Sequence, residues 1–301
     1  MDAQRALLAD GRWHFQHGPI DLVIGADGDA GAVAAAHAAA WARFATVLPE
    51  LVGELHLLRA PIGEGPSPLR GVVARRMWDA CVPHRAGFIT PMAAVAGAVA
   101  EEVIASCARP GIERAWVNNG GDIALHLAPG ASVQVGLFAD LARFDPSDAA
   151  APRLDGDFAV HAAMPVRGIA TSGWRGRSFS LGIADSVTVL ARTAAQADAA
   201  ATVIANAVNV ADPRIVRRPA EELKDDSDLG AIPVTVDVPP LGAALVDAAL
   251  AAGAARARAL QRAGLIQAAL LVCQHRAVRV GAVGGRLRQA AGSAELGSVF
   301  A

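Results

Sequence analysis

Apolar positions along the chain follow two periods, and their alternation separates strand from helix. Residues 13–24 carry short apolar runs on either side of Gly18-Pro19, ending in Leu22, Val23 and Ile24, which predicts two short strands around a turn. Residues 30–48 switch to helical spacing, with Trp41, Phe44 and Leu48 on one face. A Pro/Gly-rich loop over 60–68 precedes a predicted helix over 69–80. Thr90-Pro91 then offers an N-cap followed by proline at the first helical position, for a helix that Gly111 closes. Gly97 within it predicts close approach of a backbone, a ligand or a neighbouring helix. Strands are expected at 115–117, 123–127, 133–138, 160–170, 186–191, 234–238 and 270–280. Helices are expected at 194–208 and 242–262. Strand groups and helices in mixed order, without regular βαβ repetition, define an α+β class with no sequence repeat.

Composition adds exclusions. The chain has 301 residues, 53% hydrophobic and 19% charged, with a formal net charge of -2. That balance excludes a largely disordered chain and argues against a nucleic-acid partner, since no basic face is available to neutralise phosphates. Lysine occurs once, as Lys224, and arginine takes its place elsewhere. Cys81, Cys107 and Cys273 are odd in number and far apart, so neither a disulfide framework nor a thiolate zinc site is indicated, and a cytoplasmic location is expected. The N-terminal residues lack the pattern of a secretion signal. The longest charge-free runs are too short, or too broken by proline and glycine, to span a membrane.

Three constellations could carry chemistry. In the 194–208 helix and just beyond it, Asp198, Thr202, Asn206 and Asn209 recur at steps of four, four and three, which places a carboxylate, a hydroxyl and two amides on one stripe of an Ala/Val/Ile surface. Hard oxygen donors so arranged suit Mg²⁺ completed by water and phosphates; the same stripe is also what the wet side of an amphipathic helix looks like. Asn118-Asn119-Gly120-Gly121-Asp122 is a hairpin signal whose backbone N–H groups could form an anion-binding nest. Thr171-Ser172-Gly173 followed by Arg175 and Arg177 combines hydroxyls with guanidinium groups that could hold a phosphate, or that merely face solvent. No G-x-G-x-x-G after a strand, P-loop, G-x-S-x-G elbow or H-E-x-x-H is present. Cys81 and His84 read as a buried thiol beside a surface histidine, and His126 and His161 as structural or surface residues. Glu221 to Asp228 reads as a solvated charged loop.

Together these motifs are recognisable. The run Pro91-Met92-Ala93-Ala94-Val95-Ala96-Gly97, then Asn119-Gly120-Gly121-Asp122-Ile123, Ile169-Ala170-Thr171-Ser172-Gly173, Asp185-Ser186-Val187-Thr188-Val189, and finally Ala197-Asp198 with Thr202, resembles the ApbE-like superfamily in order and spacing. It is most similar to an uncharacterised bacterial and archaeal branch, whose members also carry a segment like Ser227-Asp228-Leu229-Gly230. The resemblance implies an internally duplicated, T-fold-like sheet with helices packed on it, residues 1–301 forming one domain. It also implies Mg²⁺ held by Asp198 and Thr202, and FAD or FMN as ligand near Asn119 to Asp122 and Thr171 to Gly173, with Arg175 neutralising phosphate charge. The activity implied is that of a Mg²⁺-dependent transferase or nucleotide hydrolase, with phosphoryl, nucleotidyl or FMN transfer as its chemistry. A homo-oligomer is the expected assembly.

Two departures qualify the implied activity. The chain has Ala96-Gly97 where typical transferases have Lys-Gly. It also passes directly from Gly182-Ile183-Ala184 to Asp185, without the histidine-containing segment that precedes the Ser-Val-Thr-Val strand in those enzymes. Removing a proton from an alcohol needs a positioned base. The alternative is a non-catalytic protein that binds a flavin, purine or pterin.

Overall fold

The computed structural model describes residues 2–138, 156–176, 178–282, 285–287 and 298–300. Strands β1 (Gln4–Leu7), β2 (Trp13–His17) and β3 (Ile20–Gly28) form an antiparallel meander, the second turn falling at Gly18 as predicted. Asp29 caps α1 (Ala30–Gly53) by accepting the Ala32 N–H at 3.0 Å. The helix continues past Pro49, because buried Val47 and Leu51 keep its last turns on the core. Short α2 (Leu55–Leu58) and α3 (Val72–Cys81) follow. The helix expected from Thr90 to Gly111 is a 3₁₀ turn over Pro91–Ala94, then α4 (Val95–Ile104), then a second 3₁₀ turn over Ala105–Cys107. Hairpin β4 (Ile112–Asn119) and β5 (Asp122–Leu127) completes this half.

The second half repeats the plan. Hairpin β8 (Gly168–Ser172) and β9 (Ser186–Ala191) leads into α5 (Ala194–Ala207), which starts at the Thr193 cap. A two-stranded ribbon of β10 (Val216–Pro219) and β11 (Pro233–Asp237) precedes α6 (Ala243–Arg262), and hairpin β12 (Ala268–Cys273) and β13 (Arg276–Val280) closes it. Nine strands share one antiparallel sheet in the order β1-β2-β3-β4-β5-β8-β9-β12-β13. The hairpin, helices, hairpin unit thus occurs twice, in the same lateral order, and the expected duplication is visible in topology although the sequence shows no repeat.

Helices cover one face of this sheet. On the opposite face β6 (Ser132–Phe138) and β7 (Gly156–His161) form a small sheet with β14 (Gly285–Leu287) and β15 (Ser298–Phe300), and Val135, Phe158 and Val160 pack on Ile123, Ile169 and Val272. Strands β9 and β12 are therefore buried at every position, which is why they read as continuous apolar runs.

Two predicted strands are each divided. The 160–170 segment splits at Pro165 between β7 and β8, and the Arg167 guanidinium ties the crossing by donating to the carbonyls of Ala162, Met164 and Val166. The 270–280 segment is the β12–β13 hairpin, turning at Gln274 and His275 with φ of 42° and 64°. The first turn of α5 is wedged between two glycines. A Cβ at Gly168 would lie 2.1 Å from the Thr193 carbonyl, and one at Gly97 2.3 Å from that of Ala194. Because backbone cannot yield as a side chain does, Gly168→Ala is expected to cost about 3 kcal/mol in chemical denaturation.

Candidate functional site

The wedge fixes where Asp198 points. One turn into α5, its Oδ2 accepts the Gly97 N–H at 2.9 Å, and the Ala96 N–H also donates to the carboxylate. Both amides belong to the first turn of α4, which has no side-chain cap of its own, so a residue from the second half satisfies orphan donors of the first. The Ala96 carbonyl is held in turn by the Asn119 Nδ2–H at 3.1 Å. Gly97 is glycine because α5 backbone packs on it, which decides between the readings its position left open.

The β4–β5 turn consists of Gly120 and Gly121, with φ of 66° and 110°. The Gly121 N–H donates to Asn118 Oδ1 at 2.8 Å, so one amide of the predicted anion nest is already used. Gly120 at the tip is exposed, and a Cβ at the buried Gly121 would meet nothing within 4 Å. Asp122, at the base of this turn, is buried and accepts the Thr171 N–H through Oδ1 at 3.2 Å. The Thr171 hydroxyl pairs with that of Thr188 at 3.0 Å.

Asp122 and Asp198 thus stand against one another, one from each half. Burial pushes both carboxyls up. The Asp198 charge raises Asp122 further, against the pull of the Thr171 N–H, and Asp198 is pushed up to about 7 despite the Gly97 and Ala96 amides. Among the described residues no arginine or lysine answers either of them. Nor does a group of three or more His, Cys, Asp and Glu side chains converge there. Two carboxylates with a hydroxyl is the donor set that Mg²⁺ takes when water and phosphate oxygens complete its octahedron. Thr202 supplies a half-buried hydroxyl one turn along the same face of α5.

Other candidate residues have different duties. Asn206 Oδ1 accepts the Ser180 hydroxyl and the Leu181 N–H, while Asn209 donates to the Leu181 carbonyl and accepts from Arg217. The lower stripe therefore pins the chain before β9. Ser172 is half-buried, and Gly173 is required by the Asp185 carbonyl, which a Cβ would approach to 2.3 Å. Arg175 is exposed with its guanidinium 4.8 Å from the Trp174 ring centroid, and Arg177 lies outside the described residues.

His84, expected on the surface, is buried, and desolvation with the nearby Arg256 charge lowers it to about 4. The Cys81 thiol is buried and pushed up by desolvation and by Asp198, so it stays protonated. Nor is Glu221 to Asp228 merely solvated, since Asp226 pairs with Arg59 at 2.7 Å and Asp228 accepts the Thr90 hydroxyl at 2.5 Å. Thr90 consequently does not cap its helix. The Ala96 and Gly97 amides were hidden in the sequence, because backbone donors carry no residue signature. No helix among the described residues is long and apolar enough to cross a membrane.

Comparison with known proteins places the chain in a family. A family model described as AbpE bacteria matches residues 5–288, and the chain belongs to that family, within the ApbE-like superfamily. It is similar to the UPF0280 protein of Methanospirillum hungatei, 36% identical over 152 residues covering 50% of this chain and 55% of that relative. It is likewise similar to the UPF0280 protein of Methanothermobacter thermautotrophicus, 35% identical over 166 residues covering 55% and 57%. The chain spans about half the length of the curated relatives it matches. Among solved structures, the apo form of Pseudomonas stutzeri flavinyl transferase ApbE aligns over 94% of both chains at 13% identity with a TM-score of 0.40.

The carboxylate pair sets a pH dependence. Groups whose folded value is raised hold protons that the unfolded chain has already lost, so stability falls as pH climbs from the ordinary carboxylate range towards about 7. In metal-free protein, Asp198→Asn is expected to raise Tm at neutral pH by about 4 °C, corresponding to about 2 kcal/mol. The difference should vanish near about pH 4, as followed by calorimetry.

Proposed function

We propose that the junction of the α4 N-terminus, the β4–β5 turn, β8 and α5 binds Mg²⁺ between Asp122 and Asp198, with Thr202 as a further donor, and thereby the phosphates of a flavin nucleotide or related dinucleotide. The observation that carries this reading is a buried Asp122 and a half-buried Asp198 from opposite halves, held by backbone N–H groups with no arginine or lysine beside them among the described residues. A bound divalent cation supplies the positive charge that lets both ionise and that offsets phosphate charge. The Ala96 and Gly97 amides orient one carboxylate and the Thr171 amide the other. Asn119 fixes the turn between them, and the space that a Cβ at Gly121 would enter is free of other atoms within 4 Å. Ser172, Gly173 and Arg175 would flank the phosphates from the β8 side. The flavin-type ligand rests on the motif resemblance. In this reading residues 1–301 act as one unit, and catalysis would be phosphoryl or nucleotidyl chemistry on the ligand.

A specific observation favours the non-catalytic alternative for transfer to an alcohol. Asp185 stands where the family's histidine segment would lead into β9, and both of its oxygens are engaged, Oδ1 by the Trp174 Nε1–H at 3.3 Å and Oδ2 by the Gln274 N–H at 2.5 Å. These bonds aim the carboxylate at Trp174 and the β12–β13 turn, whereas a general base has to be aimed at the proton it removes. The protein then holds its flavin, purine or pterin without turning it over.

Calorimetric titration with MgCl₂ and FAD, followed by mass spectrometry of the incubated ligand, separates the readings. Mg²⁺-dependent FAD binding, weakened about 100-fold by Asp198→Asn, supports the cation site. Cleavage of FAD on top of binding identifies an enzyme, and recovery of intact FAD identifies a carrier. Binding indifferent to both Mg²⁺ and Asp198 overturns the proposal.

A further inference from the structure

The ribbon of β10 and β11 is fastened at both ends to elements that frame the carboxylate pair. At its base Arg217 donates to Asn209 Oδ1 at 2.7 Å, and the Thr235 N–H donates to the Ser180 carbonyl at 2.8 Å, so it sits at the C-terminal end of α5. At its far end the connecting loop reaches the first half of the molecule, where Asp226 pairs with Arg59 and Asp228 accepts the hydroxyl of buried Thr90. Thr90 has the backbone of an N-cap, with φ -110° and ψ 160°, yet its side chain caps nothing in its own helix. Its carbonyl starts the 3₁₀ turn by accepting the Ala93 N–H at 3.1 Å, and also receives the Cys81 thiol at 3.4 Å. Six residues on, the same run presents the Ala96 and Gly97 amides to Asp198.

We propose that Asp228 is a positioning residue for the carboxylate site, acting through Thr90. By holding that hydroxyl it fixes the start of the Pro91–Ala94 turn, and hence the direction in which Ala96 and Gly97 aim their N–H groups. The second half therefore grips the α4 N-terminus twice, through Asp198 inside the site and through Asp228 behind it. An exposed charged loop would need no partner on another element; this one spends a carboxylate on a buried hydroxyl. The inference rests on the cation reading for its consequence in affinity, but the positioning itself is testable without a metal.

Hydrogen exchange of the Ala96 and Gly97 amides in metal-free full-length protein is the first readout, with β12 amides as the control for global opening. Thr90→Val and Asp228→Ala should each speed exchange at 96 and 97 about 10-fold, with no change in β12. Thr90→Ser, which keeps the hydroxyl, should match the wild type. The second readout is Mn²⁺ affinity by electron paramagnetic resonance. Each disruptive variant should weaken it about 10-fold, and the double variant no further, since both remove one bond. Unchanged exchange at 96 and 97 in both single variants overturns the proposal, whatever Mn²⁺ does. Faster local exchange in a protein that binds no Mn²⁺ supports the positioning and counts against the cation reading instead.

Discussion

Two carboxyl groups brought together in a partly dry place each disfavour the other's charge, and the backbone around them is what keeps them there. Asp122 arrives on β5 and Asp198 on α5, and neither meets a basic side chain among the described residues. What holds them is backbone geometry. Gly97 and Gly168 bring backbone hard against the first turn of α5 and leave no room for it to swing, so its carboxylate is delivered to the amides that open α4. Asn119 and Thr171 complete the frame from the hairpins. Remove the tight wedge and the carboxylates part; remove the amides and the buried charge loses its last compensation.

The parts of this arrangement that depend on residue type were legible in the sequence. Helical spacing singled out Asp198 and Thr202, and the Gly-Gly turn before Asp122 declared itself through its need for positive φ. Asn206 and Asn209 lie on the same stripe, yet they bind the chain before β9, because spacing reports which residues share a face and not what covers it. The Gln274-His275 turn carries no Gly, Asn or Asp to mark it, and the break at Pro165 lies inside an otherwise largely apolar run over 160–170. Thr90 carried every mark of a cap, and a carboxylate 138 residues away took its hydroxyl. Long-range partners of this kind leave no trace in local pattern.

The helical layer shows how ordinary packing supports the site. Arg43 joins α1 to α4 through Glu102, and Arg76 joins α3 to the same glutamate and to Glu101. Glu101 also accepts the Ala195 N–H at 3.2 Å, so the start of α5 is braced by charge as well as by close backbone contact.

The joint between the halves has a consequence for the molecule as a machine. Strands β5 and β8 are paired only through Ile123 with Ile169 and Ala124 with Gly168, against five or more pairs at most other joints of the large sheet. Main-chain adhesion is thinnest along the line that the acidic pair straddles. An ion seated there would act as a rivet through the weakest joint, and the mechanical integrity of the sheet would report on whether it is in place.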